Sequence, residues 1–141
     1  MYRIIDFEWF GDKDSMLVAL QKHVNCPFEI KRVFYIFDVP SGVVRGNHAN
    51  RESSFVFITI KGRCKVRVDN GRRQDEFILD NPKQGLFLDK MLWKQMYDFS
   101  EDCMLLVLSD KYYCKDEYIY DYHEYVEATG GGGYNYALMV A

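Results

Sequence analysis

The stretch Phe55-Val56-Phe57-Ile58-Thr59-Ile60-Lys61-Gly62-Arg63-Cys64-Lys65-Val66-Arg67-Val68-Asp69-Asn70-Gly71-Arg72 decides the fold class. Its first six residues are β-branched or aromatic and read as a buried strand, too short and too stiff at Cβ to favour a helix. Beyond Gly62, Cys64–Val68 alternates apolar and basic residues with the period of two that a pleated strand imposes. Asn70-Gly71 then offers the positive φ that suits a tight hairpin turn. The alternation gathers Lys61, Arg63, Lys65 and Arg67 on one face, read as a solvated edge face whose charges discourage strand-to-strand aggregation.

The same punctuation continues in both directions. Gly11, Gly42, Gly46 and Gly85 separate short stretches rich in Val, Ile, Phe and Tyr. Val33–Phe37 is a second buried-strand candidate, and further strands are expected at Met16–Lys22, Arg73–Leu79, Gly85–Leu88, Leu92–Tyr97 and Met104–Leu108. No segment before residue 110 sustains a 3.6-residue apolar period, so the fold class is all-β and antiparallel, as a sandwich or a barrel. The Tyr-rich, acidic segment Lys111–Glu127 is expected to add a helical turn or two against the barrel end. Residues 1–128 form the domain, and residues 129–141 a Gly-rich spacer and tail.

Composition removes several function classes. With 141 residues, 48% of them hydrophobic, the chain is one domain that hides roughly 68–70% of its unfolded surface, which excludes general disorder. The apolar run Met104–Leu108 falls far short of the about 20 residues of a membrane-spanning helix. The N-terminus Met1-Tyr2-Arg3-Ile4-Ile5-Asp6 lacks the apolar stretch of a secretory signal, so a cytoplasmic protein is expected. A net charge of −3 argues against nucleic acid as a partner, because phosphate neutralisation draws on a basic surplus. The four cysteines form no C-x-x-C pair and are read as free, buried thiols.

The segment Gly42-Val43-Val44-Arg45-Gly46-Asn47-His48-Ala49-Asn50-Arg51 carries the chemistry. It resembles the first motif of the cupin barrels, with Gly42, His48 and Gly62 at the motif's spacing. Asn50 stands at the second histidine position and Phe55 at the glutamate position, while Phe87 and Leu88 fall where a later histidine belongs. One of four ligand positions is kept, and neither Phe nor Leu donates to a metal, so no bound metal and no cofactor are expected. On an extended strand His48 and Asn50 share a face, and Arg45 leaves from the turn before them.

Several separated strings carry a closer resemblance over roughly residues 2–126. Pro27-Phe28-Glu29-Ile30-Lys31-Arg32-Val33-Phe34-Tyr35-Ile36, Arg45–Arg51, Gly85–Leu88, Leu92–Ser100, and Tyr112, Tyr118, Ile119, Asp121 and Tyr122 together resemble the metal-independent WxcM-like cupins, the thymidine-diphosphate-sugar 3,4-ketoisomerases. The resemblance implies a cupin-type β-barrel or jelly roll, a homodimer, and a nucleotide-linked 4-keto-6-deoxyhexose as substrate, destined for surface glycans. A ketone at C4 acidifies the hydrogen on C3, and its removal and return at C4 move the ketone to C3. Imidazole suits that traffic near neutral pH. Where the family pattern reads R-G-x-H-A-H, with two histidines dividing the transfers, this chain has Arg45-Gly46-Asn47-His48-Ala49-Asn50.

The expected catalytic set is His48 as base, Tyr35 as a second acid unless it is a core strand residue, and Asn50 fixing the enediol oxygen. The expected substrate contacts are Arg45, Arg51 and Arg32, with Trp93 either a core residue or a platform for a thymine ring. Two functions stay open. One is the cofactor-free isomerase; the other is a non-catalytic or altered-activity cupin that binds a nucleotide sugar, because Asn50 replaces the second histidine.

Overall fold

Alternation along the strands sorts the apolar side chains into layers. The computed structural model describes residues 1–130, and within them two five-stranded antiparallel sheets face each other as a cupin-type barrel. The first sheet runs β1 (Tyr2–Asp6), β9 (Gln84–Leu88), β6 (Phe55–Lys61), β11 (Met104–Ser109), β4 (Arg32–Phe37). The second runs β12 (Tyr118–Ile119), β5 (Arg45–Asn50), β10 (Trp93–Tyr97), β7 (Cys64–Asp69), β8 (Gln74–Leu79). A hairpin of β2 (Phe10–Asp12) and β3 (Ser15–Leu17) lies outside both sheets.

The unbroken apolar runs belong to strands covered on both faces. Phe55 and Phe57 of β6, Leu105 and Val107 of β11, and Val66 and Val68 of β7 meet between the sheets. On the other side of the first sheet, Val56, Ile58, Phe87 and Leu108 pack against Phe7, Cys26 and Phe28. Full burial of one such side chain stabilises by about 1.5–3 kcal/mol, so this doubly covered sheet is the rigid wall of the barrel.

Three expectations change. The segment Val33–Phe37 is not buried throughout: β4 is an edge strand, so Phe34 and Ile36 turn inward while Val33, Tyr35 and Phe37 stay exposed. The basic face of Lys65 and Arg67 is not an edge, because β7 sits between β10 and β8. Its charges are paired, Lys65 with Asp98 at 3.3 Å and Arg67 with Glu76 at 3.5 Å. The tight hairpin expected at Asn70-Gly71 joins β7 to β8: Gly71 has φ 89°, the Asn70 N–H donates to the Arg73 carbonyl, and the Asn70 side-chain oxygen accepts from the N–H groups of Arg72 and Arg73. In the Met16–Lys22 segment only Met16 and Leu17 are in strand, as part of β3, because the chain then turns through Gln21, whose carbonyl accepts from Val24 and Cys26.

After a 3-10 turn at Lys115–Glu117, helix α1 (Tyr122–Thr129) closes one end. Asp121 caps it, its side chain accepting from the Glu124 N–H at 3.1 Å, and Gly130 ends it in the left-handed region with φ 67°. Tyr125 pins the helix, its buried hydroxyl within donating distance of the Met91 carbonyl at 2.8 Å and the Asp69 carbonyl at 2.9 Å. All four thiols are free; Cys26, Cys64 and Cys103 are buried as expected and Cys114 is exposed. No helix among the described residues is long and apolar enough to cross a membrane. The expected tail beyond Gly130 lies outside the described residues.

Candidate active site

The pairing of β5 with β10 builds the site. Lys94 stands opposite His48 and Met96 opposite Arg45, with a shift of register between Lys94 and Gln95. The shift is a β-bulge: two steps on β5 match one on β10, with Gly46 at φ 91° and Asn47 at φ 56°. A Cβ at Gly46 would come within 2.8 Å of the Lys94 carbonyl oxygen, so the strands approach this closely only over glycine. Without the bulge, residues 45 and 48 would point to opposite faces. With it, Arg45 and His48 face the same cavity.

That cavity holds about 180 Å³. Phe34, Ile36, Phe57 and Met96 make its apolar wall, and Arg45, His48, Lys94 and Tyr118 its polar one. The His48 ring packs on Tyr118 at 4.9 Å between centroids and on Tyr120 at 5.9 Å. Burial, and secondarily the Lys94 charge, pushes the imidazole down to about 4, against a hydrogen bond with the Gly46 backbone. His48 is therefore a neutral acceptor at neutral pH.

Lys94 is only 2% exposed, its Nζ donating to Asn50 Oδ1 at 2.9 Å and sitting 4.9 Å from the centre of the Phe55 ring. Burial pushes its amine down to about 7, with Glu117 pulling the other way. The Glu117 carboxylate is itself buried. Burial alone would raise it, but hydrogen bonds from the Ser53 hydroxyl at 2.6 Å and N–H at 3.0 Å outweigh that and hold it below its ordinary value.

The structure brings together only part of the expected set. His48 and Arg45 line the cavity. Asn50 lies behind its wall, 1% exposed, holding Lys94 with its oxygen while its Nδ2 has no hydrogen-bond partner. Arg32 shares the inward face of β4 with Phe34 and Ile36; its half-buried guanidinium stacks on Phe34 at 5.0 Å and Tyr113 at 5.6 Å, and its Nε is unpartnered. Tyr35 is not in the site: it sits out of phase with Phe34 and Ile36, 61% exposed on the outer face. Arg51 is drawn away by Glu124 of α1 at 3.4 Å. Trp93 takes the face of β10 opposite Lys94 and packs on Tyr122 at 5.2 Å and Tyr125 at 5.8 Å, so it anchors the helix and offers no platform.

Lys94 and Tyr118 are the residues that sequence reasoning passed over. The signal for Lys94 was a lysine in phase with Met96 on the apolar side of a strand. Among the described residues, no group of three or more His, Cys, Asp or Glu stands close enough to hold a metal ion.

A family model described as FdtA, WxcM-like, C-terminal, matches residues 1–130. The chain belongs to the WxcM-like family. This WxcM-like chain is 38% identical over 123 residues to the TDP-4-oxo-6-deoxy-alpha-D-glucose-3,4-oxoisomerase of Aneurinibacillus thermoaerophilus, covering 87% of itself and 88% of that protein. Among solved structures it is similar to WlaRA, a TDP-fucose-3,4-ketoisomerase from Campylobacter jejuni, at 50% identity and a TM-score of 0.87 over 91% of this chain and 95% of that one. It is also similar to QdtA, a sugar 3,4-ketoisomerase from Thermoanaerobacterium thermosaccharolyticum in complex with TDP, at 32% identity and a TM-score of 0.88 over 92% and 94% of the two chains. Against the WxcM-like pattern the barrel is intact, and the second histidine position holds Asn50.

Proposed function

We propose that this WxcM-like chain is a 3,4-ketoisomerase that acts, without a metal, on a thymidine-diphosphate-linked 4-keto-6-deoxyhexose. The observation that carries the reading is a neutral, buried imidazole facing a cavity into which Arg45 and Lys94 also project. His48 removes the hydrogen on C3 as the C4 carbonyl electrons move onto oxygen. The cationic groups of Arg45 and Lys94 stabilise the enediolate, and their low-dielectric surroundings strengthen that effect. A positioned base of this kind contributes about 10²–10⁴-fold. The cavity, at about 180 Å³, is below the roughly 300–1,000 Å³ of pockets that engulf larger ligands, which suits a sugar ring inside and the nucleotide outside. Arg32, on the inward face of β4 with Phe34 and Ile36 of the cavity wall, supplies a further cation for the diphosphate. QdtA supports the substrate class, a variant of it having been crystallised with TDP-4-keto-6-deoxyglucose.

The reading extends to a cytoplasmic homodimer serving surface-glycan synthesis. The exposed apolar strip of Val33, Tyr35 and Phe37 on edge strand β4 supports the dimer, since an uncovered apolar edge is otherwise an aggregation site. The second reading, a binding module without turnover, is favoured by Asn50 alone.

Incubation with TDP-4-keto-6-deoxyglucose in deuterium oxide, followed by NMR, separates the two. The isomerase exchanges the C3 hydrogen and accumulates the 3-keto sugar, and His48→Asn abolishes both. Calorimetric binding with no exchange at C3 leaves only the binding module.

A further inference from the structure

We propose that Lys94 is the second proton carrier of this site, its ammonium delivering the hydrogen to C4 after His48 has taken the one from C3. The inference rests on the isomerase reading and adds a residue to it. It starts from a shortage: two carbon centres exchange protons, and among the described residues only one histidine lines the cavity. Of the other polar groups there, Arg45 is a guanidinium, a side chain that does not give up its proton in proteins. Tyr118 presents its ring to His48 and Tyr120. Lys94 remains, an amine facing the cavity and directly opposite His48 across the paired strands.

Its surroundings fit the role. The groups facing it are His48 and Asn50 from β5, Glu117 from the 3-10 turn, Phe55 from β6 and the uncharged Val68 opposite it on β7, with Arg45 across the cavity. Burial brings the amine to about 7, so both protonation states are populated at neutral pH, as efficient acid–base catalysis requires. Asn50 fixes the amine in place, its oxygen accepting from the ammonium at 2.9 Å.

The transfers balance. His48 takes the C3 proton, the C3–C4 double bond forms and the C4 oxygen becomes anionic. The Lys94 ammonium then protonates C4, the C3 hydroxyl proton passes to the adjacent C4 oxygen, and the C3 carbonyl forms. His48 is left protonated and Lys94 neutral. The imidazolium returns its proton to the amine through water, downhill because the imidazole is the weaker base of the two.

Lys94→Arg tests this, since arginine keeps the charge and withholds the proton; Lys94→Met is the smaller companion, and circular dichroism checks that each is folded. In deuterium oxide Lys94→Arg, which keeps the cation that stabilises the enediolate, should still exchange the C3 hydrogen, while 3-keto product falls by about 10²-fold or more in both variants. Adding Asn50→His to Lys94→Arg should return product by restoring an imidazole. In the wild type, substrate deuterated at C3 and converted in ordinary water should carry hydrogen at C4. Product formed by Lys94→Arg within about tenfold of wild type, loss of C3 exchange together with product in folded Lys94→Arg, or deuterium carried from C3 to C4 would each overturn the assignment. A wild type that binds the sugar nucleotide without any C3 exchange overturns the isomerase reading first, and Lys94 with it.

Discussion

Replacing Lys94 by methionine should make the protein more stable, and by an amount that depends on pH. The amine, ordinarily near 10.5, is pushed down to about 7 by burial, which corresponds to about 5 kcal/mol of disfavoured charge. Methionine is similar in length, carries no charge and meets Phe55 as an apolar contact. Against that gain, Asn50 Oδ1 loses its donor, a cost of about 1–3 kcal/mol. The net expectation at pH 7 is a stabilisation of about 2–4 kcal/mol, in line with replacements of buried charges by apolar groups. The sign with pH follows from proton counts. Between pH 7 and 10.5 the unfolded wild type binds more protons at Lys94 than the folded one, so wild-type stability rises with pH there, and below about 7 the full penalty is present. The advantage of Lys94→Met should therefore shrink by about 1 kcal/mol from pH 7 to 8 and by about another from 8 to 9. His48, ordinarily near 6.5 and lower in the fold, is neutral in the folded state across that window and only about a quarter protonated in the unfolded state at pH 7, falling to a few per cent at pH 8. Urea unfolding of both proteins at pH 7, 8 and 9 provides the measurement. A variant no more stable than wild type at pH 7, or an advantage that stays constant with pH, would refute a buried, depressed amine.

Two further predictions concern Glu117 and the outer face of β4. Glu117→Gln removes the charge that pulls Lys94 and His48 upward, so both move lower and the alkaline limb of the rate profile shifts to lower pH; weakened hydrogen bonds from Ser53 should also cost about 2 kcal/mol in urea unfolding. Tyr35→Glu, on the exposed strip of β4, should weaken self-association by about 30-fold or more while leaving the cavity intact, read by sedimentation across a concentration series. Wild-type protein that is monomeric at all concentrations would remove the strip from the dimer reading.

The sheet residues announced themselves because a two-residue period needs only a few positions to be seen. The runs of β6 and β11 and the alternation of β7 all read correctly from composition and phase. What sequence could not settle was which strand lies at an edge. Val33–Phe37 looks as apolar as Phe55–Ile60, yet one is covered on one face and the other on two, a difference made by residues 7–28 folding over the first sheet. The site failed in the same way. Tyr35 and Trp93 belong to the right strands and the wrong faces, and Arg51 lies one residue past the strand, where Glu124 waits on a helix whose packing no local pattern predicts. Arg45 and His48 share a cavity only because the Gly46-Asn47 bulge resets the phase, and the Gly-Asn dipeptide was the visible trace of that bulge.

The features that break local rules concentrate at one place. A lysine lies in phase with the core, an asparagine amide is buried without an acceptor, and a non-glycine residue in the bulge has positive φ. Each costs on the order of 1–5 kcal/mol, and a fold with a typical margin of about 5–15 kcal/mol does not hold such costs by accident. They are sustained by the doubly covered sheet opposite, whose side chains cannot yield without opening two cores at once. The exchange of an imidazole for Asn50 belongs to that pattern. An amide cannot carry the proton itself, but its oxygen fixes an amine that can, 2.9 Å away and facing the same cavity as His48. Proton transfer is then lost from position 50 and kept in the site, which is why the departure from the family pattern is compatible with turnover.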